Sequence, residues 1–148
     1  MVNVSMPIGV LARSVGCKVQ TIRYYEDIGL LPAAGRTAGG QRRYGETHRQ
    51  KLVFIRHARE LGFPLPAVRE LLTLADQRES ECAQADRVAR RHLDSVNRRI
   101  AMLESLRAEL ELMLTHGHGN RIRDCRVIAT LADHRLCTQV HHAEASGS

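Results

Sequence analysis

The sequence predicts a predominantly α-helical chain with a small β wing: a winged helix-turn-helix head followed by one long C-terminal helix. Three observations lead there. Short apolar repeats at helical spacing, punctuated by glycines, fill the first 75 residues. A glycine-rich basic segment interrupts them between Ala33 and Tyr44. Residues 83–115 then run without a single Gly or Pro, the pattern of an unbroken helix.

Taken in order, Ile8, Leu11, Ala12 and Val15 share one helical face, and Gly16 follows as a stop. A second helix is predicted over 19–27, broken by Gly29 and led out by Leu30-Leu31-Pro32. Two short helices joined by a tight turn have the form of a helix-turn-helix. Gly39-Gly40 can supply the positive φ angles of a hairpin, and Arg42-Arg43-Tyr44 suits a short strand, so this segment reads as a wing along a phosphate backbone. From Glu46 to Leu61, residues Leu52, Ile55, Ala58 and Leu61 line one face, ended by Gly62. Phe63-Pro64-Leu65-Pro66 opens a further helix over 67–74, with Val68, Leu71 and Leu72 inward.

In the long helix, Leu93, Val96, Ile100, Leu103, Leu106, Leu110 and Met113/Leu114 form one narrow apolar stripe between charged residues. A helix of this length spans about 50 Å at 1.5 Å per residue. That is too long to bury against a 75-residue head, so a second copy of the chain is the expected partner; an intramolecular docking helix is the alternative. His116-Gly117-His118-Gly119-Asn120 then makes a loop rich in potential ligands. Cys125, a short apolar turn over 127–131 and a polar tail expected to be disordered complete the chain. The predicted organisation is a head over 1–75, a dimerisation helix over 76–115, and an effector loop, short helix and tail over 116–148.

Composition narrows the function class. The 148 residues include no Trp, two Phe and three Tyr, which favours helices packed on Leu, Val, Ile and Ala. No secretory leader and no membrane span is legible, so a cytoplasmic protein is expected. Four Cys are too sparse for a disulfide scaffold and read instead as thiols or metal ligands. Residues 1–75 hold eleven Lys+Arg against five acids and thus carry the whole net charge of +6; the remainder is neutral. A basic half joined to a balanced half predicts a nucleic-acid-binding module with a separate second function, against the alternative of a merely solvated basic surface.

The second helix clusters Thr21, Arg23, Tyr24 and Tyr25. Arg can read guanine or grip phosphate, and Tyr can pack on sugar while its hydroxyl meets phosphate. Ile22 and one of the Tyr are expected in the core. Ile8-Gly9-Val10-Leu11-Ala12, Thr21-Ile22-Arg23-Tyr24-Tyr25-Glu26, Gly29-Leu30-Leu31-Pro32 and Arg42-Arg43-Tyr44 together resemble the MerR family of transcription regulators. The resemblance continues through Phe54-Ile55-Arg56 and Leu61-Gly62-Phe63, and covers roughly residues 6–131. It implies a dimerising antiparallel coiled coil with an effector site at its end, in a bacterial, nucleoid-associated regulator. It also implies DNA contacts by Arg23, Tyr24, Arg42 and Tyr44, with Lys18, Thr21 and Arg36 beside them. The operator would be a pseudo-palindrome in a promoter whose elements are spaced too far apart, and effector-driven bending would bring them into register for RNA polymerase.

In such an antiparallel dimer, Cys82 of one subunit approaches His116, His118 and Cys125 of the other. Two thiolates with one or two imidazoles suit tetrahedral Zn²⁺. The Cys at position 82 resembles the divalent-metal branch of the family, but this chain has Thr115-His116-Gly117-His118 where divalent sensors usually carry one or two Cys. That harder donor set favours zinc over mercury or lead. His134, Cys137, His141 and His142 can complete a second site or none; Cys17 is expected to be structural and His92 to pack. An alternative effector is an electrophile or oxidant sensed by Cys125 or Cys82, with Arg121, Arg123 and Arg126 lowering the Cys125 pKa. A zinc hydrolase is a third reading, without a general base at motif spacing or an HExxH to support it.

Overall fold

The computed structural model describes residues 5–115, 120–133 and 135. Their elements run α1 (Ile8–Val15), α2 (Val19–Asp27), β1 (Gly35–Arg36), β2 (Arg42–Arg43), α3 (Glu46–Glu60), α4 (Leu65–Asp76), α5 (Cys82–Thr115) and α6 (Arg126–Ala132), with a 3₁₀ turn at Ile122–Asp124. The predicted helix-turn-helix, wing and long helix are all present. Bounds move in α4 and α5. With Pro64 as N-cap and Pro66 in the first turn, α4 starts at Leu65 and reaches Asp76, since proline in the first turn forfeits no helical hydrogen bond. Cys82 is the first residue of α5 rather than the residue before it.

The chain divides into two compact units, Met1–Ala89 and Arg90–Ser148. In the first, Leu11, Ala12 and Val15 of α1, Ile22 of α2, Leu52, Ile55 and Ala58 of α3, and Val68 and Leu72 of α4 form one core, closed by Leu30, Leu31 and Tyr44. Each fully buried aliphatic side chain contributes about 1.5–3 kcal/mol of transfer free energy. The turn between α1 and α2 depends on Gly16 at φ +72°, whose N–H donates to Ala12 O at 2.9 Å. A side chain there would be strained by that φ, and its Cβ would also lie 2.8 Å from Arg56 Nη1.

The wing pairs β1 and β2 antiparallel, Gly35 opposite Arg43 and Arg36 opposite Arg42. Of the two glycines expected at its tip, Gly40 alone takes positive φ, at +80°. Its N–H donates to Thr37 O at 2.9 Å, and Thr37 N–H donates to Gln41 O at 2.9 Å. This is a turn closed by a glycine bulge rather than a two-residue loop. Met6 and Tyr44 exchange backbone hydrogen bonds of 2.8 and 2.9 Å, which tie the chain ahead of α1 to the end of the wing.

The second unit contains α5 from Arg90 onward, the 3₁₀ turn and α6. Glu109 and Met113, one turn apart on α5, are buried, as is Thr130 of α6. The stripe read from the sequence is mostly uncovered: Leu93, Ile100, Leu103, Leu110 and Leu114 are exposed, Leu103 at 60% and Leu114 at 70%, while Val96 and Leu106 are half-buried and Met113 is buried. Among the described residues, no helix is long and apolar enough to cross a membrane.

Candidate nucleic-acid interface and metal-ligand residues

The helix-turn-helix presents α2 with Ile22 fully buried and the opposite face outward. Lys18 is the N-cap residue of α2, its carbonyl accepting from the Thr21 and Ile22 N–H groups, and the side chains of Lys18 and Arg23 are exposed. Tyr24 is half exposed, while Tyr25 packs partly against the core, with the two rings 5.9 Å apart. Of the two tyrosines, Tyr25 is therefore the one that turns inward. Thr21 is partly covered beside Tyr25. On the wing, Arg36 and Arg42 face each other across the strand pair and are both exposed. Arg36 Nη1 donates to Gly40 O at 3.0 Å, which steadies the tip while leaving its other donors available.

Tyr44 is the correction. Expected as a DNA contact, it is fully buried. Its hydroxyl donates to Glu26 Oε1 of α2, and its ring meets the His48 imidazole edge-on at 5.2 Å. Burial first, and then the Glu26 carboxylate, push the Tyr44 hydroxyl pKa up to about 12. Tyr44 thus pins the wing to the recognition helix from inside and has no surface with which to meet DNA. Arg42 and Tyr44, two apart, share one face of the strand: Arg42 is exposed on the wing with its guanidinium acting on the Tyr44 hydroxyl, while Tyr44 lies where the chain reaches the core at the Met6–Tyr44 bridge. His48 seats the same corner, its Nδ1 accepting the Gly45 N–H at 3.1 Å at the start of α3.

The charge of the first half also separates into two populations. Arg49 pairs with Glu46 at 2.6 Å, Lys51 with Asp76 at 2.8 Å and Arg56 with Glu60 at 2.9 Å. Arg59 donates to Phe63 O at 2.8 Å, and Arg69 donates to Ile28 O and Gly29 O. Those five side chains brace the head. Lys18, Arg23, Arg36 and Arg42 are exposed on the recognition helix and wing, Arg42 with its guanidinium also acting on the Tyr44 hydroxyl; of the remaining two, Arg13 is exposed and Arg43 half-buried.

The metal-ligand residues lie in different parts of the chain. Cys82 is exposed at the first turn of α5, its Sγ 4.0 Å from Asp86 Oδ1. Cys125 is half-buried as the N-cap residue of α6. Both are free thiols, a donor set that suits a divalent transition-metal ion. His116, His118, His134, Cys137, His141 and His142 lie outside the described residues. Among the described residues of one chain, no three ligand-type side chains converge. Cys17 is partly buried against the core, and burial pushes its thiol pKa up, partly offset by Arg56. His92 is half-buried. Of the arginines flanking Cys125, Arg123 faces Asp124 at 3.7 Å.

Sequence reasoning missed Glu26, His48, Arg56 and Arg69 as residues that hold the interface in shape. Only the Arg56/Glu60 spacing of four left a signal, because the other partners are backbone groups or distant in the chain.

Comparison with known proteins agrees with this geometry. Residues 6–74 match the model of the MerR HTH family regulatory protein, and residues 49–113 match that of MerR, DNA binding. The chain is 37% identical over 127 residues to the transcriptional regulator HmrR of Sinorhizobium medicae, covering 86% of each. It is 41% identical over 105 residues to ZntR of Escherichia coli K12, covering 70% of this chain and 74% of that one. Among solved structures, the lead(II) complex of the transcription regulator PbrR691 from Ralstonia metallidurans CH34 superposes with a TM-score of 0.77 at 35% identity, covering 85% of this chain and 98% of that one. These relatives are transcription regulators and not enzymes, which removes the hydrolase reading. The chain belongs to the MerR family of DNA-binding transcription regulators.

Proposed function

We propose that the chain is a homodimeric, metal-responsive transcription regulator whose effector is a divalent ion, Zn²⁺ first. The observation that carries the reading is the placement of its thiols. Cys82 opens a 34-residue helix with an exposed apolar stripe, and Cys125 follows that helix's other end. Two such helices laid antiparallel along their stripes bring Cys82 of each chain toward the His116–Cys125 segment of the other. A bound Zn²⁺ would supply a tetrahedral centre joining thiolates and imidazoles from both chains. The names of ZntR and of the lead-bound regulator support a metal effector, and His116 and His118 in place of thiols support zinc.

On DNA, Lys18, Thr21, Arg23 and Tyr24 would enter the major groove, with Arg36 and Arg42 on flanking phosphates. Two heads then read a pseudo-palindromic promoter. The effector-loaded dimer bends the spacer, at a cost of about 1–6 kcal/mol, and so aligns the promoter elements for RNA polymerase. The shift requires tighter metal binding by the activating conformation than by the resting one.

The test combines zinc titration of the Cys82→Ser and Cys125→Ser dimers with promoter activation across zinc, cadmium, lead and copper. Removing one ligand should weaken zinc binding by more than about 100-fold, above the loss typical of outer-sphere partners. Activation should follow zinc. Unchanged zinc affinity in Cys82→Ser, or activation by copper alone, overturns the site or its metal.

A further inference from the structure

Each helix of the helix-turn-helix ends on an arginine supplied by the helix pair behind it. Arg56 of α3 donates through Nη1 to Val15 O, the last carbonyl of α1, while its Nε is held by Glu60 Oε1 at 2.9 Å. Arg69 of α4 donates through Nη2 to Ile28 O, the C-cap carbonyl of α2, at 2.5 Å, and through Nη1 to Gly29 O, in the turn that follows, at 3.2 Å. The last carbonyls of a helix lack intrahelical partners and carry the negative end of its dipole, so a guanidinium there satisfies both needs at once. The surrounding backbone is shaped to admit it. Gly16 stands where a Cβ would meet Arg56 Nη1 at 2.8 Å; Gly29 takes φ +73°, a conformation L side chains rarely adopt, and leaves room of 3.7 Å to Arg69 Nη1. The sequence separations are 41 residues for Arg56–Val15 and 41 and 40 residues for the two Arg69 bonds, so these are tertiary clamps rather than local caps.

We infer that Arg56 and Arg69 are positioning residues for DNA recognition. They fix α1 and α2 on the α3–α4 scaffold by their carboxyl ends and do not bind phosphate, although both count toward the basic charge of the head. The fork geometry of Arg is essential at Arg69, because two carbonyls are bridged by two nitrogens of one rigid plane. Lysine can replace an arginine on a phosphate but offers one point charge and cannot span the pair. The inference rests on the DNA-binding reading given above.

The experiment uses the full-length protein with two duplexes: one selected by the wild type from a random-sequence pool, and a scrambled duplex of equal length. Affinity for both is measured across a salt series for Arg69→Gln, Arg69→Lys, Arg56→Gln and, as a phosphate-contact control, Arg42→Gln. Loss of a phosphate contact lowers the salt slope by about 0.9 per contact and weakens both duplexes alike, as expected for Arg42→Gln. For Arg69→Gln and Arg69→Lys the slope should stay at the wild-type value. The ratio of selected to scrambled affinity should fall by about tenfold, as for loss of hydrogen bonds to a charged group. Arg56→Gln should follow the same pattern. A wild-type ratio in Arg69→Lys, or a lowered slope with an unchanged ratio in Arg69→Gln, overturns the inference. If circular dichroism shows Arg69→Gln unfolded, the charge-preserving Arg69→Lys decides alone. Failure of the wild type to select any sequence would instead count against the DNA-binding reading itself.

Discussion

In the unit Met1–Ala89, most apolar positions of α1 to α4 meet one another, with Val10 and the expected inward Leu61 left exposed, and the helix-turn-helix ends are closed by Gly16, Gly29, Arg56 and Arg69. In the unit Arg90–Ser148, the same kind of residue lies at the same kind of spacing along α5, yet Leu93, Ile100, Leu103, Leu110 and Leu114 stay exposed. Helical periodicity says which residues want to be covered, and the number of elements close enough to cover them says whether one chain suffices. The head has four helices to do so. Within its unit α5 leaves Leu93, Ile100, Leu103, Leu110 and Leu114 exposed, and that exposure is the physical ground for the proposed dimer.

The strongest way to break that contrast is a charge in the stripe. Leu103→Asp should give a monomer by analytical ultracentrifugation and weaken binding to the selected duplex by at least about 100-fold, because a dimer seam would have to desolvate two carboxylates. Near-native circular dichroism is expected for the head, whose core does not include residue 103. A dimer that survives with full DNA affinity removes the two-chain reading.

A smaller effect probes the head from within. Tyr44→Phe removes the donor to Glu26 and should cost about 1 kcal/mol in urea unfolding at pH 7. Its alkaline limb tests the electrostatics. Below pH 10 the hydroxyl is protonated in both folded and unfolded chains, so it adds no pH dependence. Between pH 10 and about 12 the unfolded chain loses the proton while the folded chain keeps it, so stability falls as pH rises through that window. The Phe variant should lack that share of the fall; an alkaline limb identical to wild type would show that Tyr44 is not the buried titrating group. The smallest expected change is at Asp76, 64% exposed and paired with Lys51. Asp76→Ala should alter stability by no more than about 0.5 kcal/mol, and a larger loss would mean that the α3–α4 scaffold depends on that ion pair.

The helices were legible because glycine stops and apolar spacing are local properties. Gly16, Gly29 and Gly62 each take positive φ where the sequence predicts a break, and the α5 stripe is readable residue by residue. The sequence marks Phe63-Pro64-Leu65-Pro66 as a helix opening but places the first helical residue at 67, two residues late, because only the folded backbone shows that Pro64 is the N-cap and Pro66 lies inside the first turn. From the sequence the whole wing reads as a basic, outward-facing segment, Tyr44 included. Its neighbours Arg42 and Arg43 gave no hint that the next side chain turns inward to reach Glu26, eighteen positions earlier.

By itself, then, the sequence determined the order of elements, the basic character of the first half, the family and the apolar stripe of the long helix, for which a second copy is the proposed partner. All of these follow from residue types at short spacing. Only the tertiary structure decided which basic residues face outward and which brace the head, that Tyr44 belongs to the core, and that Arg56 and Arg69 close the helix-turn-helix. Those assignments rest on backbone carbonyls and distant carboxylates, and a carbonyl looks the same at every position until folding brings a donor to it.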